Sequence, residues 1–164
     1  MSDKTDRLLL DLHLRVSGGA YNAVGALRLF CWLKAIRVPR MLDHGNLVVV
    51  HPDPAGGALA AREVPLETRR LEPLVAALRD LGFPAARPQI EEVFDTSDGW
   101  EHAVLRAVLD DDSDTLELSF CSSGFKGRDA EGLRRVFREI LAIAGVGDRG
   151  SWYNLTGRRP SARG

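Results

Sequence analysis

The chain is poor in the features that stabilise a protein without a large apolar core. It has only two cysteines in 164 residues, Cys31 and Cys121, too few for a disulfide framework, and this usage points to a reducing compartment. The longest stretch without a formal charge, Val16 to Leu27, holds 12 residues and three glycines. That is well short of the ~20 apolar residues that span a bilayer, so no membrane helix is expected. The opening Met1-Ser-Asp-Lys-Thr-Asp6 is charged and has no apolar stretch behind a basic start. It does not read as a secretory signal, and a cytoplasmic location is expected. Lysine is scarce as well, 3 against 19 arginines, and isoleucine occurs four times, a bias characteristic of a GC-rich bacterial genome.

What is present is ordinary globular composition, 45% hydrophobic and 27% charged, which excludes disorder, collagen and coiled coil as the whole fold. A chain of this length buries roughly 70% of its unfolded surface, so it needs neither metal nor disulfide to hold a core. One domain over residues 1–155 is expected, followed by a basic tail over 156–164.

Along the chain, Leu8, Leu10, Leu12, Leu14 and Val16 alternate with Arg7, Leu9, Asp11, His13 and Arg15, the period of a half-buried strand. Ser17-Gly18-Gly19 breaks it. The span from Ala20 to Ile36 contains no strong helix breaker and spreads Tyr21, Val24, Leu27, Leu29, Phe30, Trp32, Leu33 and Ile36 around the axis, which predicts an unusually apolar helix, buried in its own core or facing a second copy. Leu47 to Val50 predicts a central strand, Pro52 to Gly57 a loop, and Ala61 to Leu66 a weaker strand. Leu71, Leu74, Val75, Leu78 and Leu81 recur at helical spacing, with Pro73 in the first turn and Gly82 at the cap. A three-stranded meander is predicted over Gln89–Asp95, Trp100–Leu109 and Thr115–Ser122, the middle segment being also open to a helical reading. A last helix starts at Asp129 as N-cap, faces inward with Leu133, Val136, Phe137, Ile140, Leu141 and Ala144, and stops at Gly145. Ser151 to Leu155 is read as an edge strand. Leu10 to Leu14 with its glycine loop and helix has the same plan as Leu116 to Phe120 with the last helix, a hint of internal duplication. The sum is an α+β two-layer sandwich, a mainly antiparallel sheet with about three helices on one face.

Charge is unevenly spread. Between Glu91 and Glu117 lie ten acids, Glu91, Glu92, Asp95, Asp98, Glu101, Asp110, Asp111, Asp112, Asp114 and Glu117, against Arg106 alone. This local balance of −9 leaves +8 on the rest of a chain whose net charge is −1. Lys126, Arg128, Arg134, Arg135, Arg138, Arg149, Arg158, Arg159 and Arg163 supply most of the C-terminal excess. An acidic meander is a surface that steers a basic partner, although Asp-rich turns also serve as ordinary turn chemistry. A calcium loop at Asp110 to Asp114 fails in detail, since Thr115 occupies the obligatory glycine position and Cys121 the place of the bidentate glutamate.

Catalytic motifs are incomplete. Phe120-Cys-Ser-Ser-Gly-Phe-Lys-Gly-Arg128 runs from strand to helix and resembles an anion cradle, but Cys121 and Arg128 stand one residue too far apart for a thiol phosphatase, and no Gly-Lys-Ser/Thr triplet is present. Asp11, His13 and Arg15 share one strand face, which Glu117, Ser119, Cys121, His102 and Arg106 join if the first and last strands are neighbours. Asp11, His13, Arg15, Cys121 and Arg128 therefore form the alternative ligand site. Histidine and cysteine spacing suits no zinc site, so no metal and no cofactor are expected. Trp152 and Tyr153 beside the basic helix are too little to outweigh the acidic segment as a nucleic-acid signal. The expected function is a non-enzymatic protein-binding module, in concrete form an immunity-type inhibitor of a basic bacterial toxin. A small enzyme or anion-binding domain, and a homo-oligomer assembled through residues 20–36, are the alternatives.

Overall fold

Period-two alternation governs more of the chain than the sequence pattern suggests. A computed structural model describes residues 7–18, 27–38, 40, 43–52, 58–92, 101–120, 124–146 and 152–157. Strands β1 (Arg7–Gly18), β2 (Leu27–Arg37), β3 (His44–Pro52) and β4 (Leu59–Leu66) are followed by a 3-10 turn (Thr68–Leu71) and helix α1 (Glu72–Leu81). Then come β5 (Glu91–Glu92), β6 (Glu101–Leu109), β7 (Asp112–Phe120), β8 (Phe125–Lys126), α2 (Ala130–Ala144) and a single turn, α3 (Tyr153–Thr156). The main sheet has the order β4-β3-β2-β1-β6-β7, and every neighbouring pair is antiparallel. The architecture is α+β, and among the described residues two helices longer than one turn, α1 and α2, stand in place of the expected three or so.

The largest correction falls on residues 20–36. Residues 27–36 of the expected helix form β2, and residues 20–26 lie outside the described residues. Leu29, Cys31, Leu33 and Ala35 point into the core, while Phe30, Trp32, Lys34 and Ile36 point to the other face. The alternation is concealed because three of the four outward residues are apolar, so no polar stripe marks the period. The hint of duplication falls with the helix, since β1 is followed by a strand and β7 by β8 and α2.

Leu10, Leu12, Leu14 and Val16 of β1, Ala103, Leu105 and Ala107 of β6, and Leu118 and Phe120 of β7 form the inner floor, as their alternation predicts. Each fully buried Leu or Phe contributes about 1.5–3 kcal/mol of transfer free energy. Bulges at Leu9 and Arg28 shift the β1·β2 register at both ends and re-aim those two side chains. Leu9 packs against the core. Arg28 turns to Glu101 and lies 4.6 Å over the Trp152 ring, so it ties the α3 turn to the end of the sheet.

α1 begins with Pro73 in its first turn and ends on Gly82 at φ +83°, whose N–H donates to the Leu78 and Arg79 carbonyls. α2 ends on Gly145 at φ +70°, and Arg62 of β4 donates to its last carbonyl, Ala144 O. Its other end departs from expectation. Asp129 stands at the N-cap position without capping the helix, because its carboxylate accepts from Gln89 N–H at 2.6 Å while its own N–H donates to Gln89 O. Phe120, Phe125 and Phe137 meet edge to face, centroids 5.9 and 6.2 Å apart, between sheet and α2, the geometry ring quadrupoles favour.

The three-stranded meander is also corrected. β6 and β7 form its hairpin, but β5 pairs with β8 in a separate two-stranded sheet. Of the expected edge strand Ser151 to Leu155, Ser151 lies outside the described residues and Tyr153 to Leu155 belong instead to the α3 turn, whose Leu155 is fully buried. No helix among the described residues is long and apolar enough to cross a membrane.

Candidate functional site

The β6–β7 connection is tighter than its run of aspartates implies. Leu109 pairs with Asp112, so the loop is Asp110-Asp111 alone, and both residues have positive φ, +52° and +68°. That is the type I′ geometry whose twist suits a hairpin and for which the second loop position is best filled by glycine. A non-glycine residue held there costs on the order of 1–3 kcal/mol, and such positions concentrate where function requires the side chain.

The ten acids separate into four groups. Asp95 and Asp98 lie outside the described residues. Glu91 and Glu92 sit on β5, where Glu91 approaches Lys126 at 4.0 Å and Glu92 accepts from Ser119 N–H at 3.2 Å. Glu101 is buried, 6% exposed, and bonded to Arg28, so it presents no surface. Burial pushes its carboxyl above the usual range, and the nearby Arg28 guanidinium opposes that only in part. The remaining acids belong to the hairpin. Asp110 receives two bonds from Arg79 at 3.0 and 3.1 Å, which hold its carboxyl below the usual range. Asp114 accepts from Arg87 at 3.2 Å. Among the described residues Asp111, Asp112 and Glu117 make no ion pair. Alternation sends Glu117 to the helix-free face and Asp112 to the opposite one, so the acids do not line a single surface as the meander reading expects.

Around the tip, Leu78, Arg79, Gly82, Phe83, Pro84 and Leu109 join Asp110 and Asp112 to line a cleft of about 140 Å³. It has an apolar floor and a carboxylate lip. The adjoining β7 edge is guarded. In a two-residue hairpin the outward backbone groups of β7 are those of Ser113, Thr115, Glu117 and Ser119. Arg87 donates to Thr115 O, Asp114 accepts from Thr115 N–H, and Glu92 accepts from Ser119 N–H. These contacts occupy the outward groups of Thr115 and the N–H of Ser119, which disfavours strand addition there.

The alternative ligand site does not assemble as expected. Asp11, His13 and Arg15 lie on the helix-free face of β1, but β6 stands between β1 and β7. Arg128 is at the head of α2, beyond the other face, and Cys121 lies outside the described residues. His13 is held in place: its ring stacks on Trp32 at 5.1 Å, and Asp11 Oδ1 accepts from Trp32 Nε1 at 2.8 Å and lies 3.2 Å from His13 Nε2. Trp32, hidden from sequence reading by the helix assignment, thus organises the centre of this face. His102 Nδ1 lies 3.1 Å from Ser119 Oγ, a directly opposed cross-strand pair. Among the described residues no group of three His, Cys, Asp or Glu side chains is placed to hold a metal. Cys31 is buried, and its thiol is pushed up to about 12 by desolvation, which Arg62 opposes weakly.

No known family model matches the chain, and no curated protein sequence matches it.

Proposed function

We propose that this protein is a binding module that docks a basic protein partner on the β6–β7 hairpin tip, in concrete form an immunity-type inhibitor of a basic toxin in a bacterial cytoplasm. The observation that carries the reading is Asp111. It occupies a left-handed position, φ +68°, where glycine is cheapest, and its exposed carboxylate makes no bond among the described residues. A charge kept at a position of backbone cost is an economical sign that the charge is used.

The tip supplies the rest of the docking chemistry. Arg79 and Arg87 hold Asp110 and Asp114 in fixed positions, so those carboxylates are preorganised at little further entropic cost. A lysine or arginine side chain of the partner lays its stem along the cleft mouth at the exposed Ala85 and its charge against Asp112 and Asp111. Charges at a rim act chiefly on association rate and on salt dependence.

The test is a pull-down from host lysate at low and high salt. The wild type retains a basic protein that salt releases, Asp111→Asn with Asp112→Asn loses it, and Glu117→Gln, on the other face, keeps it. Retention of the same protein by the tip variant at every salt concentration would overturn the reading.

A further inference from the structure

The helix-free face of the sheet carries large apolar side chains, Phe30 and Trp32 among them, interspersed with charges of both signs. Register places its side chains in three rows across the six strands. One row runs Ser113, Val108, Asp11, Lys34, Asn46 and Pro65. The next runs Thr115, Arg106, His13, Trp32, Val48 and Glu63. The third runs Glu117, Val104, Arg15, Phe30, Val50 and Ala61. Phe30, Trp32, Val48 and Val50 form a half-buried apolar patch on β2 and β3, Val104 and Val108 are half-buried on β6 beyond the polar Asp11, His13 and Arg15 of β1, and no described element packs over them.

We infer that this face is covered by the same face of a second copy, giving a two-fold dimer of stacked sheets. Two observations select a second copy over another occupant. The first is charge. The rows carry Arg15, Lys34 and Arg106 against Asp11, Glu63 and Glu117, so the face is neutral and opposite signs are interspersed, as an isologous contact needs. A two-fold axis along the strands, midway between β1 and β2, lays β1 over β2 of the other copy. Asp11 then faces Lys34 of the second copy, Arg15 its Phe30, and Val104 its Val50. The first contact is an ion pair, the second a cation–π contact and the third apolar. An axis across the strands would instead set Arg106 on Arg106 and Glu63 on Glu63.

The second observation is area. Six strands about 4.8 Å apart, with a ladder of about seven residues at about 3.3 Å each, give a face of roughly 650 Å². Two such faces bury about 1,300 Å², within the range of specific interfaces. Sheets stacked this way cross at about 30°, which leaves residues near the axis opposed. The Asp110-Asp111 tip lies at the end of the outer hairpin, off this contact, so the dimer and the proposed docking surface are independent.

Sedimentation equilibrium tests the inference. The expected mass is twice the 18.0 kDa of the chain for the wild type and for the Asp111→Asn, Asp112→Asn variant. Val48→Glu with Val104→Glu is expected to sediment as a monomer and to keep its circular dichroism and cooperative unfolding. Should that variant fail to fold, Lys34→Asp at its exposed position is expected to raise the dimer dissociation constant at least tenfold, and adding Asp11→Lys to restore it. A wild type that is monomeric up to hundreds of micromolar overturns the inference. So does a folded Val48→Glu, Val104→Glu protein that stays dimeric, or an Asp11→Lys, Lys34→Asp exchange that does not recover association.

Discussion

Replacing Asp111 by glycine separates what the hairpin tip costs from what it does. The residue stands at φ +68° in a two-residue loop. An L-residue held in this region loses about 1–2 kcal/mol, an aspartate toward the lower end because its short polar side chain bonds locally. Glycine removes that cost and returns about 0.5–1 kcal/mol through its greater unfolded freedom. The net expectation is a stabilisation of about 0.5 kcal/mol, up to 1 at most. For a chain of this size that raises the midpoint of thermal unfolding by about 1–4 °C. Asp111→Asn supplies the control, since asparagine tolerates the same backbone without the charge, and its stability is expected to stay within about 0.5 kcal/mol of the wild type. Both variants lose partner binding to the same extent, one while gaining stability. The assay is calorimetric or urea unfolding of both variants beside the wild type. A lower midpoint for Asp111→Gly would refute the type I′ assignment and with it the argument that the carboxylate is retained at a cost.

Other expectations follow from the burial pattern. Leu33→Ala, at a fully buried position of β2, is expected to cost about 2–5 kcal/mol, whereas Arg37→Ala, exposed at the end of the same strand, stays within about 0.5 kcal/mol; comparable losses at both positions in urea unfolding would contradict the strand. Glu101 has its folded-state pKa raised above the ordinary 4.5 by burial, so its contribution to stability is full below about 4.5 and is lost as pH rises through the folded value. Wild-type stability should therefore decline relative to Glu101→Gln from pH 4.5 upward, and unfolding midpoints that run parallel across that window would show the carboxyl to be unperturbed. With a thiol pushed up to about 12, Cys31 is expected to resist iodoacetamide at pH 8 until denaturant is added; rapid labelling of Cys31 in the native protein would contradict its burial.

How much of this was legible in the sequence depends on whether polarity marks the period. β1, with Asp11, His13 and Arg15 outward, announces itself, as do α1 and α2 with their glycine stops. β2 does not, because Phe30, Trp32 and Ile36 stand where polar residues would mark its outer face, and the apolar character that hides the strand is the same character that suggests a covered surface. The acidic segment shows the converse limit. Its charge is plain in the sequence, but the distribution of that charge is tertiary. Glu101 turns inward to an arginine 73 residues away, and Arg79 pins Asp110 from 31 residues away. No spacing rule within the segment reveals that, among the described residues, Asp111 and Asp112 are the acids at the tip without an ion pair. The separation of Arg128 from His13 likewise rests on which sheet face α2 covers.

The most direct test of the docking surface is the association rate of the purified partner as a function of ionic strength, for the wild type and for Asp111→Asn with Asp112→Asn. The wild-type rate is expected to fall steeply with added salt, and the variant rate to be about tenfold slower at low salt with a much flatter dependence. Equal rates and equal salt slopes for the two proteins would contradict a partner site at the hairpin tip.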